Sequence, residues 1–194
     1  MTFAATLVAR AQPLSALHLL WINLVSDVVP ALALGMEPVE PGTMRRPPPV
    51  PGGALLSRAD LMTTAFDAAV MAAATLGAFG LTWRRSGDAV RASTVAFSTI
   101  STGQLLYALA CRSDQRSGLS GLRDNPALLA GIGGMLALQG ATVVVPPLRA
   151  LLTTTPLGLA DLAVIGVGAV APLTLREALK RTRRDESHQG GARG

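Results

Sequence analysis

The chain has 194 residues, 49% of them hydrophobic and only 15% charged, with a mean hydropathy of +0.42. Ordinary soluble domains carry about 25% charged residues, so this balance favours helices buried in lipid and makes a water-soluble helical protein the weaker competitor. The net charge of +5 comes from short basic clusters between apolar stretches, which suits a membrane surface and not nucleic acid, and the single Cys111 excludes an internal disulfide or a zinc cluster.

Residues 1–12 are too short to cross a bilayer, which needs about 20 apolar residues. They lack a charged n-region and are interrupted by Arg10, so no cleavable signal is expected there. They read as an interfacial stub or as the last turns of a preceding helix. The first full span is expected over 14–36, "LSALHLLWINLVSDVVPALALGM", followed by the proline-rich connector "EPVEPGTMRRPPPVPGG". Proline removes a donor and clashes with the preceding turn, so this connector cannot be a helix interior. Further spans are expected over 61–83, 92–111, 126–145 and 157–175, with Pro146 and Pro147 ending the fourth at a membrane edge. Residues 13–180 thus form an all-α membrane bundle of about five transmembrane helices holding half an ion site, and 181–194 are a basic polar tail. Small-residue patterns, "STISTG" and "GIGG", predict close helix contact in the third and fourth spans.

Five spans put the termini on opposite sides of a cell membrane. A cytoplasmic C-terminus places Arg45, Arg46, Arg58, Arg112, Arg116, Arg123 and the cluster Arg176, Lys180, Arg181, Arg183, Arg184 inside. The other side then holds Arg10, Arg84, Arg85, Arg91 and Arg149. Lys and Arg enrichment in short cytoplasmic loops therefore predicts a multi-pass protein with its tail inside, although Arg84 and Arg85 dissent.

Polar side chains at membrane depth carry the functional signal. Asn23, Ser26 and Asp27 are spaced by three and four residues, which puts them on one helical face. A carboxylate at the centre of a span costs at least about 2.5 kcal/mol, so Asp27 must face protein, water or an ion. Three oxygen-bearing side chains make part of a cation shell, and Ca²⁺ needs 6–8 oxygens, more than one helix supplies. The competing interpretation is a polar packing face. Pro30 deprives the Ser26 carbonyl of its helical partner, an arrangement that broken membrane helices use to meet ions. Gln104 brings a carbonyl and an amide into the third span, beside Ser98, Ser101 and Thr102, and suits interhelical bonding and ion coordination equally well. His18 and Trp21 are expected to pack or to sit near the interface, Asp67 to be solvated or to meet Arg58, and Asp161 to face water at the membrane edge.

The 194 residues contain no GxxxxGK[ST] loop, no dinucleotide fingerprint and no Ser–His or Cys–His arrangement, since His18 and His188 are the only histidines. The intervals between spans are too short for a soluble catalytic domain.

The stretch "LHLLWINLVSDVVPALALGMEPVEPGTMRRPPP", residues 17–49, resembles the sixth transmembrane helix and following loop of P-type cation-transporting ATPases of the calcium-pump-like group, where the pattern is "QLLWxNLVTDxxPAxALGxxPxxxxxMxxPPR". "STVAFSTISTGQLLYAL" resembles the eighth helix, residues 122–158 the ninth with its outer loop, and residues 156–181 the tenth; residues 1–12 would end the fifth. The resemblance implies that Asn23 and Asp27 coordinate the transported cation, that Ser26 stands for the family's Thr, and that Gln104 replaces a Glu. It implies no cofactor held by these residues, only a transported cation such as Ca²⁺. The family's "DKTGT", "PEGLP" and "TGDN" motifs do not occur here. Mg-ATP would therefore act through a missing or separate domain, on a partner chain with phosphorylation, nucleotide-binding and actuator domains. The expected function is a transmembrane cation-transport module that does not pump by itself; the alternative is a non-transporting structural or interaction protein, or a truncated pump remnant.

Overall fold

A computed structural model describes residues 14–26, 58–110 and 126–191, together with positions 28, 31 and 35. Among these residues the chain is all helical: α1 (Ala16–Trp21), a π-helical segment (Ile22–Ser26), α2 (Arg58–Ser86), α3 (Ala89–Ala110), α4 (Pro126–Val144), α5 (Pro146–Leu152) and α6 (Leu159–Gly191). The proline-rich connector lies outside the described residues.

The boundaries have local causes. Asp60 in the first turn of α2 and Arg84 and Arg85 in its last turn complement the helix dipole. Gly87, at φ +67°, takes the left-handed conformation that ends α2, and its N–H reaches the Trp83 carbonyl at 2.8 Å. Asp88 then caps α3, its Oδ1 accepting from the amides of Val90 (2.8 Å) and Arg91 (3.2 Å). Proline occupies the first position of both α4 and α5, where its missing donor costs nothing.

Four expected spans coincide with α2, α3, α4 and the first half of α6 to within a few residues. At Pro146 and Pro147 the chain bends by 84° and continues as α5. Helix α6 runs on to Gly191, through the segment expected as a polar tail. By length and composition α2 can cross a membrane over Asp60–Ser86, and the bent pair α4–α5 makes a second such span if taken as one. Helix α3 holds Arg91, Gln104 and six Ser or Thr residues, which explains why its hydropathy falls short. Large apolar side chains cover much of the outer surface: Leu159 is 87% exposed, Met62 76% and Val167 75%.

Helices α2, α3 and α6 pack against one another, and α3 also meets α4 and the π segment. Helix α3 is buried almost all round, as a central helix must be, with Ala92, Val95, Ala96, Phe97 and Ser101 fully enclosed. One apolar cluster joins Phe79, Ala92 and Ala96; another joins Ala78, Val95 and Ile165. A third brings Leu14 and Ile22 against Phe97 and Leu152. The "STISTG" expectation holds at Gly103, where an added Cβ would lie 3.6 Å from the Ala169 backbone. Its counterpart on α6 is Gly168, where a Cβ would stand 2.7 Å from Thr99 Cγ2. At "GIGG" Ile132 is buried, and Gly133 and Gly134 have open space beside them among the described residues.

Candidate cation site

Helix α1 carries the proposed ligands on its continuation, and its start is firmly held. Ser15 caps it: the hydroxyl accepts from the His18 amide at 3.2 Å, and the Ser15 amide donates to His18 Nδ1 at 3.3 Å. This is a capping box with histidine in the place of the usual Glu or Gln. Because Nδ1 accepts, Nε2 carries the proton and donates to the Leu152 carbonyl of α5 at 2.8 Å. The ring is buried and stacked on Phe97 at 4.3 Å, a packing role as expected from its isolation in sequence. Trp21 Nε1 donates to Gln139 Oε1 of α4 at 3.2 Å.

Immediately after Trp21 the helix widens into the π segment. Such single-turn π elements weaken the regular ladder and occur often at functional sites. Asn23 lies within it and is exposed, and Ser26 closes it. The Ser26 side chain, Asp27 and Pro30 lie outside the described residues. The departure from α geometry therefore begins at Ile22, upstream of the proline.

On α3, the helix that touches the π segment, Gln104 is partly buried and its Oε1 has no hydrogen-bond partner among the described residues. The same is true of Ser101 Oγ, one turn earlier on the same face. An unpartnered buried oxygen costs about 1–3 kcal/mol. The other such atoms, on Thr82, Gln139, Arg149 and Thr155, are dispersed over different elements. Ser101 belongs to the polar region of the third span, and its spacing of three from Gln104 is the signal in the sequence that joins the two. No group of three or more His, Cys, Asp or Glu residues gathers among the described residues. An oxygen site here would be built from neutral carbonyl and hydroxyl groups plus whatever Asp27 adds, donors that suit a hard cation.

Two carboxylates depart from their expected settings. Asp67 of α2 is buried, not solvated, and accepts a hydrogen bond from the Tyr107 hydroxyl of α3. Asp161 in the first turn of α6 is also buried, not water-facing. Its Oδ2 accepts from Arg91 Nε (2.9 Å), Arg91 Nη2 (2.6 Å) and the Gly158 amide (2.9 Å). A helix N-terminus and a guanidinium together offset the cost of enclosing that charge.

A family model described as "Cation transporting ATPase, C-terminus" matches residues 11–182. Calcium-transporting ATPase type 2C member 2 of Mus musculus is 34% identical over 174 residues, covering 87% of this chain and 18% of the relative. A calcium-transporting ATPase of Bacillus subtilis is 29% identical over 177 residues, covering 90% of this chain and 20% of the relative. Calcium-transporting ATPase 1 of Yarrowia lipolytica is 32% identical over 180 residues, covering 91% and 19%. The chain thus spans no more than 20% of the length of these three relatives.

Proposed function

Given that the chain belongs to the P-type cation-transporting ATPases and corresponds to their C-terminal region, we propose that it forms the cation-transport part of a calcium pump. The family match over residues 11–182, which takes in both Asn23 and Gln104, is the observation that carries this. The relatives are named for calcium transport, which favours Ca²⁺ as the transported cation. It is the substrate of the pump, not a resident cofactor.

In this proposal Asn23, Ser26 and Asp27 supply one side of the site and Gln104 the other, with Ser101 beside it. The unpartnered Gln104 Oε1 and Ser101 Oγ support that arrangement, because a cation would satisfy both. A neutral amide at position 104 leaves the site with less negative charge than a carboxylate would. The π segment supports movement of Asn23 relative to α3 without breaking an α-helical ladder. These 194 residues do not pump by themselves: the phosphorylation, nucleotide-binding and actuator domains, where Mg-ATP reacts, act from outside them. The distribution of Lys and Arg supports a multi-pass arrangement in the cell membrane with a cytoplasmic C-terminus.

The test is cation-stimulated ATP hydrolysis and ⁴⁵Ca²⁺ uptake by the assembled pump in vesicles. Asp27→Asn is expected to raise the Ca²⁺ concentration for half-maximal ATPase at least tenfold, the loss of roughly 1.4 kcal/mol of binding. An unchanged Ca²⁺ dependence would remove Asp27 from the site, and stimulation by another cation alone would reassign the substrate.

A further inference from the structure

A groove of about 530 Å³ runs along the outside of the bundle between α2 and α6. Its floor and walls are small or aliphatic, with Ala74, Gly77 and Leu81 on α2 and Ala163 and Val167 on α6, and one cation, Arg85, stands at its end. Gly77 has nothing within 4 Å of where a Cβ would be, so the groove is open beside it. We propose that this groove holds one acyl chain of an anionic phospholipid, with the lipid phosphate on Arg85.

Length, charge and setting lead to the same occupant. From Ala74 to Arg85 the groove follows eleven residues of helix, about 16 Å at 1.5 Å per residue. One leaflet of the hydrocarbon core is about 15 Å deep, half of the usual 30 Å. Arg85 lies in the last turn of α2, the candidate span that ends at Ser86, so a headgroup at the membrane edge meets it while the chain reaches the midplane. The neighbouring acids are already engaged. Asp161 is buried and bound by Arg91, and Asp88 caps α3. Arg85 itself is exposed and has no ion-pair or hydrogen-bond partner among the described residues. Its charge is felt by Asp161, which is bonded to Arg91, and an exposed guanidinium at the mouth of an apolar groove is complementary to a molecule with one phosphate and one long hydrocarbon chain. The lipid site depends on the membrane setting of the family and on none of the cation ligands, so its failure would leave the proposed transport role untouched.

The full chain, reconstituted in phosphatidylcholine vesicles, is labelled with trace phosphatidylglycerol carrying a photoactivatable group midway along one acyl chain. Adducts are expected in peptides covering 74–81 and 163–171, at higher yield than with the matching phosphatidylcholine probe. Arg85→Gln should lower the phosphatidylglycerol yield about fivefold, while Arg84→Gln, outside the groove, should leave it within twofold. Ala163→Leu, which fills the groove without touching the cation, should lower the yield from both probes. Excess inorganic phosphate should not compete, because it lacks the chain. Equal labelling of the exposed face of α4, equal yields from the two headgroups, or the same loss for Arg84→Gln as for Arg85→Gln would overturn the site.

Discussion

The two halves of α3 differ in how they treat Ser, Thr and Gln oxygens, while Tyr107 near its end is bonded to Asp67. In the first half Thr94 and Thr99 return their hydroxyls to the carbonyls of Val90 and Val95 at 2.9 and 2.8 Å, and Arg91 is committed to Asp161. Beyond Ile100 the buried oxygens of Ser101 and Gln104 are left without partners among the described residues. One helix thus carries hydroxyls bonded to its own backbone and, further along, two buried oxygens without partners among the described residues. Polarity is common to both halves; the difference lies in which buried oxygens have partners.

This contrast can be broken from either end. The largest effect should come from the satisfied half. Arg91→Ala leaves Asp161 enclosed without its cation and should lower stability by about 2–3 kcal/mol, less than for a fully buried pair because the Arg91 side chain is 38% exposed. Thermal unfolding in detergent reads the loss, and the Ca²⁺ dependence of the surviving ATPase should not move. Next, Gly168→Ala drives a methyl group into Thr99 Cγ2 and should cost about 1–3 kcal/mol. Thr99→Ser in the same chain should restore most of it, whereas Gly166→Ala, with open space around it, should cost little. If Gly168→Ala is as silent as Gly166→Ala, α3 and α6 are not in close contact there.

The open half should behave in reverse. Gln104→Met removes an unsatisfied oxygen at similar length, so unfolding should be unchanged or later, while half-maximal Ca²⁺ activation rises several-fold. Gln104→Glu, which adds charge, should lower it. The smallest effect belongs to Ser101→Ala, a shift in Ca²⁺ dependence of about twofold to threefold with stability within about 0.5 kcal/mol. A matched loss of stability in Gln104→Met and Ser101→Ala would mean that both oxygens have structural partners.

Much of the helical layout was legible because span length and proline position are local properties. Pro146 and Pro147 announced the end of α4, though not the helix that follows at 84°, and the hydrophobic run of α2 announced a helix of nearly its observed extent. The settings of Asp67 and Asp161 were not legible, since Tyr107 lies 40 residues from the first and Arg91 70 residues from the second. Single-residue position near a span end suggested water; tertiary pairing decided otherwise. At "GIGG" Ile132 is buried while Gly133 and Gly134 have open space among the described residues, since small residues permit close approach without requiring it. At the site, spacing brought Asn23 and Ser26 into view, but no residue pattern foretold that the helix would turn π at Ile22. The proposed pairing of Asn23 with Gln104 comes from the resemblance to calcium pumps, because local periodicity cannot join two helices.

The fastening of α1 has a mechanical consequence. Two side-chain bonds, from His18 and from Trp21 at its end, tie α1 to segments more than a hundred residues away in the chain. Sliding α1 along its axis would break both together, at about 1 kcal/mol each, and would unstack His18 from Phe97. Pivoting about the widened turn that begins at Ile22 breaks neither. The two bonds thus hold α1 along its axis, and the widened turn that carries Asn23 begins directly after them.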